Sequence, residues 1–184
     1  MEKIIITVLG QDRPGIIAAV AQSLYERDCN IENVSQMVLQ SEFVGLFVVT
    51  VPGDATLDNI RDALRQDLSA MELDVQAKEL VAPKQTPSAL QWEPFLITTM
   101  GPDAKGLVAR ITSVLARHGA NVTNLKAVFQ GGENPDRNIM VYEADVPAQG
   151  NREALYAGLR EKAREMGLEI IIQHRDIFDA VNKI

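Results

Sequence analysis

"LGQDRPGIIAAVAQSLYERDCNIENVSQ", residues 9–36, passes from an apolar stretch through a turn bounded by Gly10 and Gly15 into an amphipathic stretch. It then heads toward a second extended segment. The chain writes this again at residues 100–127, as "MGPDAKGLVARITSVLARHGANVTNLKA". Gly10, Asp12, Gly15, Leu24, Asn30 and Asn33 recur as Gly101, Asp103, Gly106, Leu115, Asn121 and Asn124, at a constant offset of 91 residues. Self-similarity at a fixed offset marks a repeated structural unit.

Each copy carries the same succession of periods. "KIIITVL" is a short apolar run ended by Gly10 and reads as a buried strand. Asp12 is placed to cap a following helix, with Pro14 in its first turn, where a missing N–H costs little. Ile16, Ile17, Val20 and Leu24 then share one helical face. Leu107, Val108, Ile111, Val114 and Leu115 do so in the second copy. A strand begins at Asn30-Ile31 or Asn121-Val122, and a turn leads to "FVGLFVVTV" or "NIMVYEADV". In the latter, Met140, Tyr142, Ala144 and Val146 alternate with Glu143 and Asp145, the pattern of a half-buried antiparallel strand.

A second helix follows, with Leu57, Ile60, Leu64 and Met71 or with Leu155, Leu159, Ala163 and Met166 on its apolar face. The last strand alternates Leu73, Val75 and Ala77, or Leu168, Ile170 and Ile172, with polar residues. The expected fold class is therefore α+β. Two ferredoxin-like βαββαβ domains stand in tandem, each an antiparallel sheet with helices on one face. The boundaries expected are 1–82 for the first, 83–92 for a linker holding Pro83, Pro87 and Trp92, and 93–184 for the second. Ile177, Phe178, Val181 and Ile184 mark a short C-terminal helix.

Composition limits the function. The net charge of −7 lies wholly in residues 1–82, which hold 6 Lys/Arg against 13 Asp/Glu. Residues 83–184 hold 12 of each. Nucleic-acid affinity rests on a basic patch, so direct DNA or RNA binding is not expected. No apolar run reaches the ~18 residues a membrane helix needs. Glu2 and the lack of a small-residue cleavage site argue against a signal peptide. With Cys29 the only cysteine, no internal disulfide can form, and a cytoplasmic location is expected.

Catalytic and metal chemistry find little support. His118 and His174 have no Cys or carboxylate at ligand spacing, so no metal is expected. Cys29 and Ser35 have no recognisable base partner, and "GQDRPG" lacks the Lys-Ser/Thr of a phosphate loop. No cofactor is expected. The turn before the first helix offers a different chemistry. Unpaired N–H groups and a partial positive charge at a helix start receive a carboxylate well. The same Gly-Asp-Gly pattern is also what any tight strand-to-helix connection uses.

"GxDxPGIIAAVAxxLxxxxxNIxxVSQ", as it stands at residues 10–36, resembles the opening of an ACT domain, a small-molecule-sensing module of amino-acid metabolism. The resemblance covers nearly the whole chain, one unit per half. Two such units with no enzyme attached are similar to the glycine cleavage system transcriptional repressor type. The resemblance implies binding of an amino acid or similar small ligand where two ACT units meet. It implies a first site at Gly10, Asp12, Arg13, Pro14, Gly15 and Ile16, with Asn30 and Ile31 from the strand start. A second site would use Gly101, Asp103, Gly106, Leu107, Asn121 and Val122. Ala104 and Lys105 replace Arg13 and Pro14 there, so the two sites are expected to differ. The expected partner is a protein, either a transcription factor or an enzyme, and a homodimer stays open. The alternative is an interaction scaffold that binds no ligand.

Overall fold

The structure is a computed structural model, described here for residues 2–81, 91–128 and 138–176. The chain forms two compact units, Met1–Lys84 and Gln85–Ile184. In the first, β1 (Glu2–Gln11) leads through α1 (Ile16–Tyr25) to β2 (Asn30–Leu39) and β3 (Glu42–Val51). After these come α2 (Leu57–Asp67), a 3-10 turn (Ser69–Met71) and β4 (Asp74–Glu79). The second repeats the order as β5 (Trp92–Gly101), α3 (Leu107–Arg117), β6 (Asn121–Val128), β7 (Asn138–Pro147), α4 (Arg152–Glu165) and β8 (Glu169–His174). The sheets run β2-β3-β1-β4 and β6-β7-β5-β8, with every pairing antiparallel. This is the expected βαββαβ fold, written twice.

Period-two alternation builds each core. Ile4, Ile6 and Val8 of β1 and Phe43, Phe47, Val49 and Val51 of β3 face the helices and are buried. Ile16, Val20 and Leu24 of α1 and Ile60 and Leu64 of α2 close over them. Each such side chain contributes about 1.5–3 kcal/mol when fully withdrawn from water. β7 shows the clean alternation expected, with Met140, Tyr142, Ala144 and Val146 all buried.

The structure corrects several local expectations. Ile17 and Val108 are exposed, because the apolar stripe of each first helix is narrower than the sequence suggested. Met71 lies in the 3-10 turn, since α2 ends at Asp67. Trp92 belongs to β5, not to a linker, and the strand also takes in Pro94. Pro94 is tolerated because β8 pairs with β5 only from Phe95 onward, so no partner on that side needs its N–H. Most of the linker, the turn before Asn138 and the C-terminal segment with Ile177, Phe178, Val181 and Ile184 lie outside the described residues.

The repeated Asn33 and Asn124 acquire a structural role. Each follows a register shift, between Ile31 and Asn33 in β2 and between Val122 and Asn124 in β6. One extra residue, Glu32 or Thr123, is thereby inserted as a β-bulge, which bends the edge strand. Asn124 Nδ2 then donates to Glu143 Oε1 at 2.9 Å.

Candidate functional site

β1 ends at Gln11, and the chain crosses Asp12, Arg13, Pro14 and Gly15 before α1 begins. Gly15 has φ 99° and its counterpart Gly106 has φ 87°. Both are left-handed, a conformation that costs a Cβ-bearing residue and suits glycine. Space is not the reason for these two glycines. A Cβ on Gly15 would find only Met71 Cε at 3.8 Å, and one on Gly106 only Arg110 Nε at 3.9 Å. Close approach belongs to Gly10 and Gly101. A Cβ there would sit 2.8 Å from Leu73 Cδ2 or 2.7 Å from Leu168 Cδ2. So Gly10 and Gly101 accommodate the protein's own chain.

Asp12 does not cap α1; no side chain does. The left-handed Gly15 delays the helix to Ile16, which leaves Asp12 too early to cap and Pro14 in the turn itself. Asp12 is held by its backbone instead, its N–H donating to Ser41 O at 2.7 Å. Ser41 and Gln40 form the two-residue tip between β2 and β3, both with positive φ, as a tight hairpin of this length requires. The hairpin tip is thus tied to the turn.

Between them lies a cavity of about 270 Å³ lined by Asp12, Arg13, Gly15, Ile16, Ile17, Ala18, Gln36 and Phe43. It is smaller than a pocket for a drug-sized molecule, which suits a ligand of a few heavy atoms. Its wall includes the first turn of α1, where the N–H groups have no side-chain acceptor. A carboxylate, a guanidinium and a carboxamide, from Asp12, Arg13 and Gln36, converge with an apolar floor made by buried Phe43. Such a site can hold an anionic group at the helix start and a small apolar group against Phe43.

Of the residues expected for the first site, Asp12, Arg13, Gly15 and Ile16 come together here. Gly10 packs on Leu73, and Pro14 shapes the turn. Asn30 and Ile31 lie elsewhere. Gly10 pairs with Phe43 and Lys3 with Thr50, while Asn30 also pairs with Thr50. Seven residues of β1, about 23 Å, therefore separate Asn30 from the turn within one unit. One small ligand cannot touch both unless a second unit supplies the strand. The second copy is laid out alike: Gly101 pairs with Asn138, while Asn121 and Pro94 both pair with Asp145. Asp103 and Gly106 stay at the turn, Leu107 is buried, and Asn121 and Val122 lie at the far end.

Gln36 and Phe43 are lining residues that the sequence reading missed. Only the hairpin register reveals them, because Phe43 stands opposite Gly10. A larger cavity, about 340 Å³, lies between Arg27, Asp28, Pro52, Asp54, Ala55, Asn59 and Ile60. It is the weaker candidate. Its helix start is already capped by Thr56, and Arg27 is engaged with Ser23 and Asp67.

The ACT domain profile matches residues 2–78 and 93–173. The chain belongs to the ACT-domain family. The UPF0237 protein of Methanopyrus kandleri is 34% identical over 76 residues, which are 41% of this chain and 84% of that protein. The glycine cleavage system transcriptional repressor of Escherichia coli is 27% identical over 134 residues, which are 71% of this chain and 67% of the repressor. A crystal structure of a protein from Galdieria sulphuraria matches the fold with a TM-score of 0.75 at 20% identity, covering 94% of this chain and 98% of that one. The tandem arrangement of two ACT units is thus of the repressor type.

Other reactive groups in the two ACT units have structural settings. Cys29 is buried, and burial pushes its thiol above its usual pKa, away from the thiolate a nucleophile needs. His174 meets the Phe95 ring edge-on at 5.1 Å, and His118 closes the C-terminus of α3. Among the described residues, no group of three or more His, Cys, Asp or Glu is placed to hold a metal ion. Among them also, no helix is long and apolar enough to cross a membrane.

Proposed function

We propose that this chain is a non-catalytic regulator that binds an amino acid, or a similar small ligand, at the β1–α1 turn of its ACT units. The observation that carries the reading is the cavity at the uncapped start of α1, with Asp12 and Arg13 beside an apolar floor. An amino acid offers a carboxylate for the helix N–H groups and Arg13, an ammonium for Asp12, and a side chain for Phe43. In the finer reading the ligand lies where two ACT units meet, which would let Asn30 of one unit reach a ligand on the turn of another. Binding there changes how the units pack, the two-state element that allostery requires.

The output is contact with a protein, a transcription factor or an enzyme of amino-acid metabolism. The likeness to a transcriptional repressor supports this, as does the acidic charge of residues 1–82. A scaffold that binds no ligand is the competing reading, favoured by exposed Val34, Met37, Val38 and Leu39 on edge strand β2. Thermal unfolding against the twenty amino acids separates the two. A ligand at a hundredfold over its Kd adds about 2.7 kcal/mol, which raises the midpoint of a chain this size by about 5–10 °C. A flat response across the panel leaves only the scaffold.

A further inference from the structure

The two turns share a backbone but differ in what stands beneath them. In the first unit, Phe43 faces Gly10 across the sheet register; in the second, Asn138 holds that place opposite Gly101. Asn138 is 5% exposed, and its Nδ2 donates to Asp103 Oδ1 at 3.4 Å, which fixes the carboxamide against the turn. Its Oδ1 is buried and has no hydrogen-bond partner among the described residues. Buried polar atoms are nearly always paired, so this acceptor calls for an explanation. Turning the amide over would set its oxygen against the Asp103 carboxylate, so the present orientation is the chemically sound one.

The charges differ as well. Ala104 replaces Arg13, Lys105 stands in the turn where the first unit has Pro14, and Arg110 Nε lies 3.9 Å from the position of a Cβ on Gly106. α3, like α1, starts without a side-chain cap. The second turn therefore has near it a buried acceptor, a carboxylate, two cationic side chains and the N–H groups of an uncapped helix start.

We propose that Asn138 is a specificity-determining residue: it makes the β5–α3 turn select ligands bearing a primary ammonium group, which Asn138 Oδ1 and the Asp103 carboxylate receive. The inference rests on the reading of these turns as ligand sites. An ammonium has three donors and no acceptor, so it pairs with both groups at once. A hydroxyl in its place has one donor and no charge. The Asn138 oxygen gains a bond that the described residues do not supply, and leaving it unpaired penalises a ligand that brings no donor. The first turn has Phe43 at this place and lacks that demand.

The test uses the full chain and amide NMR titration, reading the first turns of α1 and α3 separately. The probes are the twenty amino acids and the α-hydroxy acid matching each one that binds. At α3 the hydroxy acid is expected to bind about tenfold to a hundredfold more weakly than the amino acid. Asn138→Leu, which places an apolar residue there as Phe43 does in the first unit, narrows the gap between the two at α3, with the Asp103 carboxylate keeping the remainder, and leaves α1 unchanged. Asp103→Asn, which keeps the contact but loses the charge, narrows the ratio in the same direction. Equal binding of both probe classes at α3, or an unchanged ratio in both variants, overturns the inference. A response at α1 alone also overturns it while leaving the proposed function in place. Silence at both turns removes the proposed function and this inference together.

Discussion

Each unit sets two helices on one sheet face, and the two begin differently. α2 starts behind Thr56, whose hydroxyl accepts from Asn59 N–H at 3.2 Å, with Asp58 in its first turn. α4 starts behind Asn151, whose Oδ1 accepts from Ala154 N–H at 3.0 Å, with Glu153 in its first turn. α1 and α3 start behind left-handed glycines, with no side-chain cap and no acid in the first turn. A cap contributes about 1 kcal/mol, and both copies forgo it at the same helix. What differs is the use of the helix start. The second helix has one of its first N–H groups capped by a side chain, whereas the first has none, and in the N-terminal unit that helix start lines a cavity.

The contrast breaks first at the glycines. Because Gly15 holds a conformation that β-branched residues avoid, Gly15→Val is expected to destabilise the chain by about 1–3 kcal/mol. Gly53 has no atom within 4 Å of a Cβ and no positive φ, so Gly53→Val serves as the control, within about 0.5 kcal/mol of wild type. Urea midpoints decide between them, and equal midpoints would remove the conformational role assigned to Gly15. Smaller, at about 1 kcal/mol, is the expected loss in Thr56→Ala, again read by urea unfolding. That variant should keep the amino-acid response of wild type. A lost response would show that the capped and uncapped starts are not independent.

Much of this was legible before any coordinates. The gapless repeat from Gly10 to Asn33, the alternation through Tyr142 and the switch from period two to helical spacing gave both units and their element order. Of the residues lining the candidate cavity, about half were legible. Asp12, Arg13, Gly15 and Ile16 are local in sequence, so the ACT resemblance could name them as candidates, and they line one cavity. Phe43, Gln36 and Asn138 were not found, because their place depends on strand register. In the first unit that register is set by a tip of Gln40 and Ser41, which lacks the Asn-Gly signal of such turns. The reading of Asp12 as a cap failed for a related reason. A left-handed Gly15 moves the helix start along the chain, and nothing in the residue order announces a φ.

Arg13 sharpens the comparison without touching the fold. Its side chain lines the cavity and lies outside the buried core. Arg13→Ala is expected to move the unfolding midpoint by less than about 0.5 kcal/mol while removing most of the ligand-induced thermal shift. Ala104 already occupies the matching place in the second unit, so any response of α3 should persist. A full shift retained in the variant would leave the cavity without its cation role.

The smallest effect concerns the other end of the first helix, which is tied where its start is open. Near the end of α1, Ser23 Oγ donates to Asp67 Oδ2 at 2.6 Å, and Arg27 Nη1 approaches the same oxygen at 2.8 Å. Asp67 closes α2, a place where the helix dipole disfavours a carboxylate. The hydroxyl of Ser23 first, and then Arg27, nonetheless hold its carboxyl below the ordinary value of 3.8. A depressed folded pKa contributes stability that is fully present above the unfolded value and fades as pH falls through the folded one. The stability gap between wild type and Asp67→Asn should therefore be constant from pH 7 to about 5 and close progressively below the ordinary Asp range. Asp67 is partly exposed and screened, so the gap is small even at neutral pH. Urea unfolding at pH 7, 5, 4 and 3 measures it. A gap that stays level to pH 3 would mean that the tie between α1 and α2 does not depend on the charge of Asp67.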